Sequence, residues 1–133
     1  METKKTVKVI GIHHVQLAMP PNREGEARAF YAGLLGLPEV PKPLTSTGQG
    51  GAWFESDGVK IHLGVELNFR AARKAHPALL VKNLDETVSM LLASGVEFVA
   101  AEPLDARPRG HIADPFGNQI ELMEALESSG ESG

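Results

Sequence analysis

A chain of 133 residues is long enough for one domain with a real core, and its net charge of −4, with no basic run longer than Lys4-Lys5, argues against a nucleic-acid partner. With no cysteine there is no disulfide framework and no thiolate metal site, so any metal ligands must be His, Asp or Glu. No apolar run approaches the roughly 20 residues of a membrane span, and residues 1–8 lack the apolar core of a signal peptide, so the expectation is a cytoplasmic protein with a small-molecule partner and neither a nucleic-acid nor a membrane one.

Residues 7–19 alternate as a strand would: Val9, His13, Val15 and Leu17 fall on one face, and Ile10, Ile12, His14 and Gln16 on the other. Pro20-Pro21-Asn22 breaks it. Asn22 is expected to cap a helix with Glu24 and Glu26 in its first turn, where the helix dipole favours anions. Ala27, Phe30, Tyr31, Leu34 and Leu35 recur at helical spacing, and Gly36 closes the helix. Residues 38–51, rich in Pro, Gly, Ser and Thr, read as a long irregular loop holding at most a short strand. Residues 52–55 and 59–65 flank the turn Ser56-Asp57-Gly58 as a hairpin.

Residues 66–74 are a charged connector, and after them the plan repeats. Residues 76–81 read as a strand. Asn83 or Asp85 caps a helix carrying Val88, Leu91 and Leu92, which ends at Gly95. A strand at 96–100, a loop at 102–108 and a second hairpin at 110–123, around Asp114-Pro115-Phe116-Gly117, complete the copy. The expected fold class is α+β. Two pseudo-symmetric βαβββ modules, residues 7–66 and 75–125, form a curved, partly open mixed β-sheet barrel with the helices outside. They make a single domain over residues 1–125, followed by a disordered tail at 126–133.

Overlaying the copies isolates four polar positions. His62 and Glu121 lie in the last strands, 59 residues apart, as do the helix-ending Gly36 and Gly95. His14 and His76 lie in the first strands, 62 apart. Alternation places His62 opposite Ile61 and Leu63, and Glu121 opposite Ile120 and Leu122, so both point away from the aliphatic side that packs under a helix. Val15 and Leu17 go under the first helix, which leaves His14 and Gln16 in the concavity. Imidazole nitrogen and carboxylate oxygen without sulfur suit Zn, Fe, Mn, Ni or Co better than Mg or Ca.

With Gly11-Ile-His-His-Val15 at the first strand, Phe30-Tyr31 through Leu34-Gly36-Leu37 at the first helix, and Asp114-Pro-Phe-Gly-Asn-Gln-Ile-Glu121 at the end, the chain resembles the vicinal oxygen chelate superfamily. That superfamily includes glyoxalase I, fosfomycin-resistance thiol transferases, bleomycin-resistance proteins, extradiol dioxygenases and methylmalonyl-CoA epimerase. The resemblance implies metal ligands at His14, His76 and Glu121, and at His62 if that residue ligates instead of contacting substrate. It implies a divalent transition metal as cofactor and a homodimer in which one chain can complete the site of another.

The chain departs from each subfamily. His62 stands where glyoxalase I has a carboxylate, no cation follows Glu121 to hold a phosphonate, and most dioxygenases of this type have four modules. The implied activity is therefore that of a metal-dependent lyase, isomerase or dioxygenase acting on a substrate with vicinal oxygens, Glu121 and His62 being the proton-handling residues. The alternative is a metal-free protein that sequesters a small molecule, as bleomycin-resistance members do. Ile112 under the helix puts His111 and Arg109 in the concavity, where, with Gln16 and Lys60, they are expected to bind substrate. Arg107 is expected near the mouth, and Trp53 and Met123 are candidate lining.

Overall fold

The computed structural model describes residues 5–43 and 50–126. All but the first residue of the expected tail, and the middle of the long loop, lie outside them. Eight strands and two helices follow in the order β1 (Val15–Met19), α1 (Glu24–Ala27, continued to Leu34 as π-wound turns), β2 (Glu39–Val40), β3 (Ala52–Ser56), β4 (Val59–Val65), β5 (Ala78–Val81), α2 (Leu84–Ala93), β6 (Val99–Leu104), β7 (Arg107–Ala113) and β8 (Gln119–Glu124). They form two four-stranded mixed sheets with the orders β1-β4-β3-β2 and β5-β8-β7-β6. In each, the first strand of the module lies parallel beside the last, and the other pairings are antiparallel. The two modules therefore share one topology, and their sheets do not close on each other.

The aliphatic face of each last strand enters the core, and the opposite face, with His62 and Glu121, is covered as well. Ile61 and Leu63 of β4, and Ile120 and Leu122 of β8, join Phe30, Tyr31, Phe54 and Leu91 in the core. Tyr31 stacks on Phe54 with ring centroids 5.4 Å apart, and its hydroxyl donates to Asp114 Oδ2 at 2.7 Å, tying the first helix to the second module. Burial pushes the Tyr31 phenol far up, with the Asp114 carboxylate adding to the shift, so it stays a donor. Asp114 also accepts from the backbone of Phe116 and Asn118, each at 2.9 Å, and so closes the β7–β8 turn.

Several expected boundaries move. The first strand pairs only from Val15, opposite Ile61, although β4 itself begins two residues earlier, so His14 lies just before the paired strand. Asn22 takes a left-handed turn conformation (φ 65°) instead of capping, and Arg23 is the N-cap residue, with no side-chain cap. Arg23 instead holds Glu26 in a bidentate pair. The helix is short because its second half widens to π winding, with Leu35 N donating to Phe30 O before Gly36 (φ 75°) ends it. Asn83 does cap α2, accepting from Glu86 N at 3.0 Å. The expected strand at 76–81 pairs from Ala78, and the one at 96–100 shifts to Val99–Leu104. Residues 102–108, expected as a loop, are instead part of a tight hairpin whose Asp105 and Ala106 both have positive φ (52° and 60°), the geometry of a two-residue turn.

Candidate metal centre

Glu121 sits mid-strand on β8, flanked by Ile120 and Leu122, which anchor the other face of the sheet in the core. Register does the rest. His111 of β7 is its direct antiparallel partner and Ala78 of β5 its parallel partner. Glu121 N donates to Pro77 O at 2.9 Å, which brings His76, one residue earlier, beside the carboxylate. His76, His111 and Glu121 each offer a ligand atom, and these atoms all lie within 4.8 Å of one another. His76 Nε2 is 3.0 Å from Glu121 Oε1, and His111 Nε2 is 3.8 Å from the same oxygen. The second oxygen, Oε2, accepts from Arg109 Nη1 at 3.2 Å, and Arg109 Nε donates to Glu102 O at 2.7 Å.

The Glu121 carboxyl is only 5 % exposed. Burial pushes its pKa up, but the hydrogen bonds from His76 and Arg109 outweigh burial and hold it below the usual carboxylate range. His76 moves the other way. Its Nδ1–H donates to Lys74 O at 2.7 Å, and this bond, followed by the one to Glu121, raises its pKa. The carbonyl also settles which nitrogen is free: Nδ1 carries a proton in either state, so Nε2 is the atom that can lose one and present a lone pair. Anchoring the far nitrogen on a carbonyl is a usual way of orienting a metal-ligating histidine. The donor set, two imidazoles and a carboxylate, fits a transition-metal ion.

The equivalent positions of the first module are built differently. Register pairs His62 with Trp53 on one side and Gln16 on the other, as Glu121 pairs with His111 and Ala78. His62 is 2 % exposed and sandwiched: the Trp53 ring lies 3.8 Å away at an interplanar angle of 2°, and the His14 ring 4.3 Å away at 19°. His62 Nε2–H donates to Glu55 Oε2 at 2.6 Å, which holds the Glu55 carboxyl below its ordinary pKa. Imidazole lone pairs lie in the ring plane, so two nearly parallel rings do not aim theirs at one point in this arrangement. His14 Nδ1 lies 2.9 Å from His13 Nδ1. Neither His14 nor His62 belongs to the His76–His111–Glu121 cluster.

Of the other expected site residues, Gln16 faces a cleft of about 710 Å³ between β1 and β5, whose wall includes His76. Lys60 pairs with Glu55 in register and lies near His14 in an adjoining cleft of about 280 Å³. Arg107 is not free at the mouth; its guanidinium donates to Glu124 O at 3.0 Å. Met123 is buried beside Arg109. Glu55 escaped the sequence reading, although alternation puts Trp53, Glu55, Lys60 and His62 on one hairpin face. The Arg109–Glu121 ion pair, across the β7–β8 ladder, was legible in the same way once the hairpin register was set.

Two like modules, each with its first and last strands adjacent and polar side chains at their shared face, define the fold of the vicinal oxygen chelate proteins. Residues 18–123 match the family model described as the glyoxalase-like domain, and the chain belongs to that family. A Bacillus anthracis protein described as a glyoxalase family member has 42 % sequence identity and a TM-score of 0.85, over 92 % of this chain and 100 % of that one. A genomically encoded fosfomycin resistance protein from Listeria monocytogenes shares the fold at 17 % identity and TM-score 0.66, over 92 % and 96 % of the chains. A glyoxalase/dioxygenase from Nostoc punctiforme does so at 20 % identity and TM-score 0.66, over 92 % and 100 %. No curated protein matches the sequence. Among the described residues no helix is long and apolar enough to cross a membrane.

Proposed function

We propose that the chain is a metal-dependent enzyme acting on a small substrate with vicinal oxygens, of isomerase, lyase or dioxygenase type. The observation that carries this reading is the His76–Glu121 pair: a buried carboxylate faces an imidazole whose other nitrogen is fixed on the Lys74 carbonyl. His76 and Glu121, with His14 as the ligand implied by resemblance, would hold Zn, Ni, Fe, Mn or Co. When bound, such an ion supplies Lewis-acid polarisation of two adjacent substrate oxygens.

The chain's own residues account for orientation and proton handling. Glu121 Oε1 already faces a proton on His76 Nε2 and is placed to accept one from substrate. His62 takes the substrate-facing of its two expected roles: Trp53 and Glu55 brace its ring, and Nδ1 is the nitrogen left for a proton. Gln16 and Lys60 share its face, and Arg109 offers a guanidinium to an anionic substrate group. Since His14 and His62 stand outside the His76–Glu121 cluster, a 2-fold homodimer that sets the first module of one copy against the second module of the other is the assembly that unites them.

One observation favours a second reading, a metal-free sequestering protein: Arg109 and His76 already compensate the charge of Glu121. Metal analysis of untagged protein, with thermal melts in added Ni, Zn, Mn, Fe(II) or Co, separates the two. Bound metal or a raised melting temperature supports the enzyme. Neither, across the whole series, sinks it. Oxygen uptake with catechols after anaerobic Fe(II) loading then assigns a dioxygenase; its absence with every diol assigns an isomerase or lyase.

A further inference from the structure

Comparing the two modules position by position exposes an asymmetry that their shared topology does not require. The residue paired across the hairpin with the polar side chain of the last strand is Trp53 in the first module and His111 in the second. Trp53 is parallel to His62 and closes its face by stacking. His111 instead meets His76 edge to face, with centroids 5.4 Å apart and planes at 82°. Rings at right angles can aim in-plane lone pairs at a common point, which rings stacked face to face cannot. From these observations we infer that His111 is a third protein ligand, so that His76, His111 and Glu121, all from one module of one chain, hold the ion without help from a second copy.

The distances fit. Two donors about 2.1 Å from a common ion at tetrahedral or octahedral angles stand roughly 2.9–3.4 Å apart. The His76–Glu121 separation, 3.0 Å, is within that range, and the His111–Glu121 separation, 3.8 Å, is slightly beyond it. The His111 side chain is 28 % exposed, so its ring has room to close the difference. Two imidazoles and one carboxylate, from β7, β8 and the segment leading into β5, form the facial set that leaves other positions open for substrate oxygens. In this arrangement His14 of a second copy adds to an ion already held, and the first module supplies a stacked wall of His14, His62 and Trp53 for the organic part of the substrate.

The inference rests on the metal-dependent reading, and Co(II) titration of the purified full chain separates the failure of one from the failure of the other. Absorption of the bound ion gives affinity and stoichiometry, and downfield exchangeable imidazole protons in the NMR spectrum count the histidine ligands. His14→Ala is expected to keep one Co(II) per chain with a change in affinity below about 10-fold. His111→Gln is expected to lose about 100-fold or more, the upper end of what even an indirect partner of a ligand is worth, and to lack one downfield resonance. His111→Phe, which fills the same space, is expected to behave alike, and unchanged thermal melts of the metal-free variants show that the fold is intact. Wild-type affinity in His111→Gln, or loss of binding in His14→Ala alone, overturns the inference and leaves the metal-dependent reading standing. No Co(II) binding by the wild type overturns both.

Discussion

His76 carries a proton where a ligand needs a lone pair, and that conflict sets how the site responds to pH. Its raised pKa means that its charged form contributes stability below the ordinary histidine value, and this contribution is lost as pH rises through the raised value. Glu121, held low, contributes above the ordinary carboxylate range and loses its contribution as pH falls through its lowered value. The metal-free protein is therefore expected to gain least from this pair at the two extremes. Urea unfolding across pH tests this, and the slope on the alkaline side should shrink in Glu121→Gln but persist in part, because the bond to the Lys74 carbonyl still raises the His76 pKa. Binding an ion displaces the proton from His76 Nε2, so affinity is expected to climb with pH, through and beyond about 6.5, and to level off only above the raised pKa. Calorimetry in buffers of different ionisation heat reads the released proton directly; affinity independent of pH would contradict the assignment of His76 as a ligand. Glu121 and His111 were legible from alternation alone, because strand geometry gives each side chain one of two faces. Glu55 and the stacking of Trp53 were not, because a face says nothing of which long side chain on it reaches another.

At the level of elements, the β7–β8 hairpin holds two of the three clustered residues, and its turn is fixed by Asp114. Asp114→Ala leaves the buried amides of Phe116 and Asn118 and the Tyr31 hydroxyl without their acceptor. The expected cost is roughly 3 kcal/mol in urea unfolding, against about 1 kcal/mol for Tyr31→Phe, which removes one bond and keeps the ring. Equal costs would show that the Tyr31 contact, not the turn, carries the effect. Gly110, between Arg109 and His111, is the other sensitive point. A Cβ there would lie 2.6 Å from Val99 O and clash with the Phe98 ring, and a backbone oxygen cannot step aside cheaply. Gly110→Ala is expected to cost about 2 kcal/mol or more and to weaken metal binding by displacing His111, both read from the same melts with and without Co(II). The Asp-Pro-Phe-Gly turn announced this hairpin in the sequence. The β6–β7 turn did not announce itself, since Asp105-Ala106 adopts positive φ without glycine.

For the whole molecule, the doubled plan was readable because each copy carries its own helix-ending glycine and hairpin turn at a fixed offset. How the copies face each other was not, because nothing local encodes it. The first strands β1 and β5 line a common cleft without being neighbours in a sheet, and Val7, Val9, Ile10 and Ile12, just before β1, are among the most exposed apolar side chains described. Apolar residues left bare next to half a site are what a second copy would cover. Light scattering on the eluting protein is expected to give twice the chain mass at micromolar concentration. Replacing Ile10 and Ile12 with Ser is expected to shift it toward monomer without unfolding it; a wild-type monomer would remove the shared-site assembly.

The bond from Tyr31 to Asp114 joins the first helix of one repeat to the last turn of the other. The repeats also share one core: Tyr31 and Phe54 of the first lie in the same buried cluster as Leu91, Ile120 and Leu122 of the second, apolar surface that separation would expose to water. A chain nicked in the connector after Arg70 should behave as two pieces of one cooperative protein, unfolded apart and restored on mixing. The duplication written in the sequence is thus one of pattern, while the core beneath it is shared.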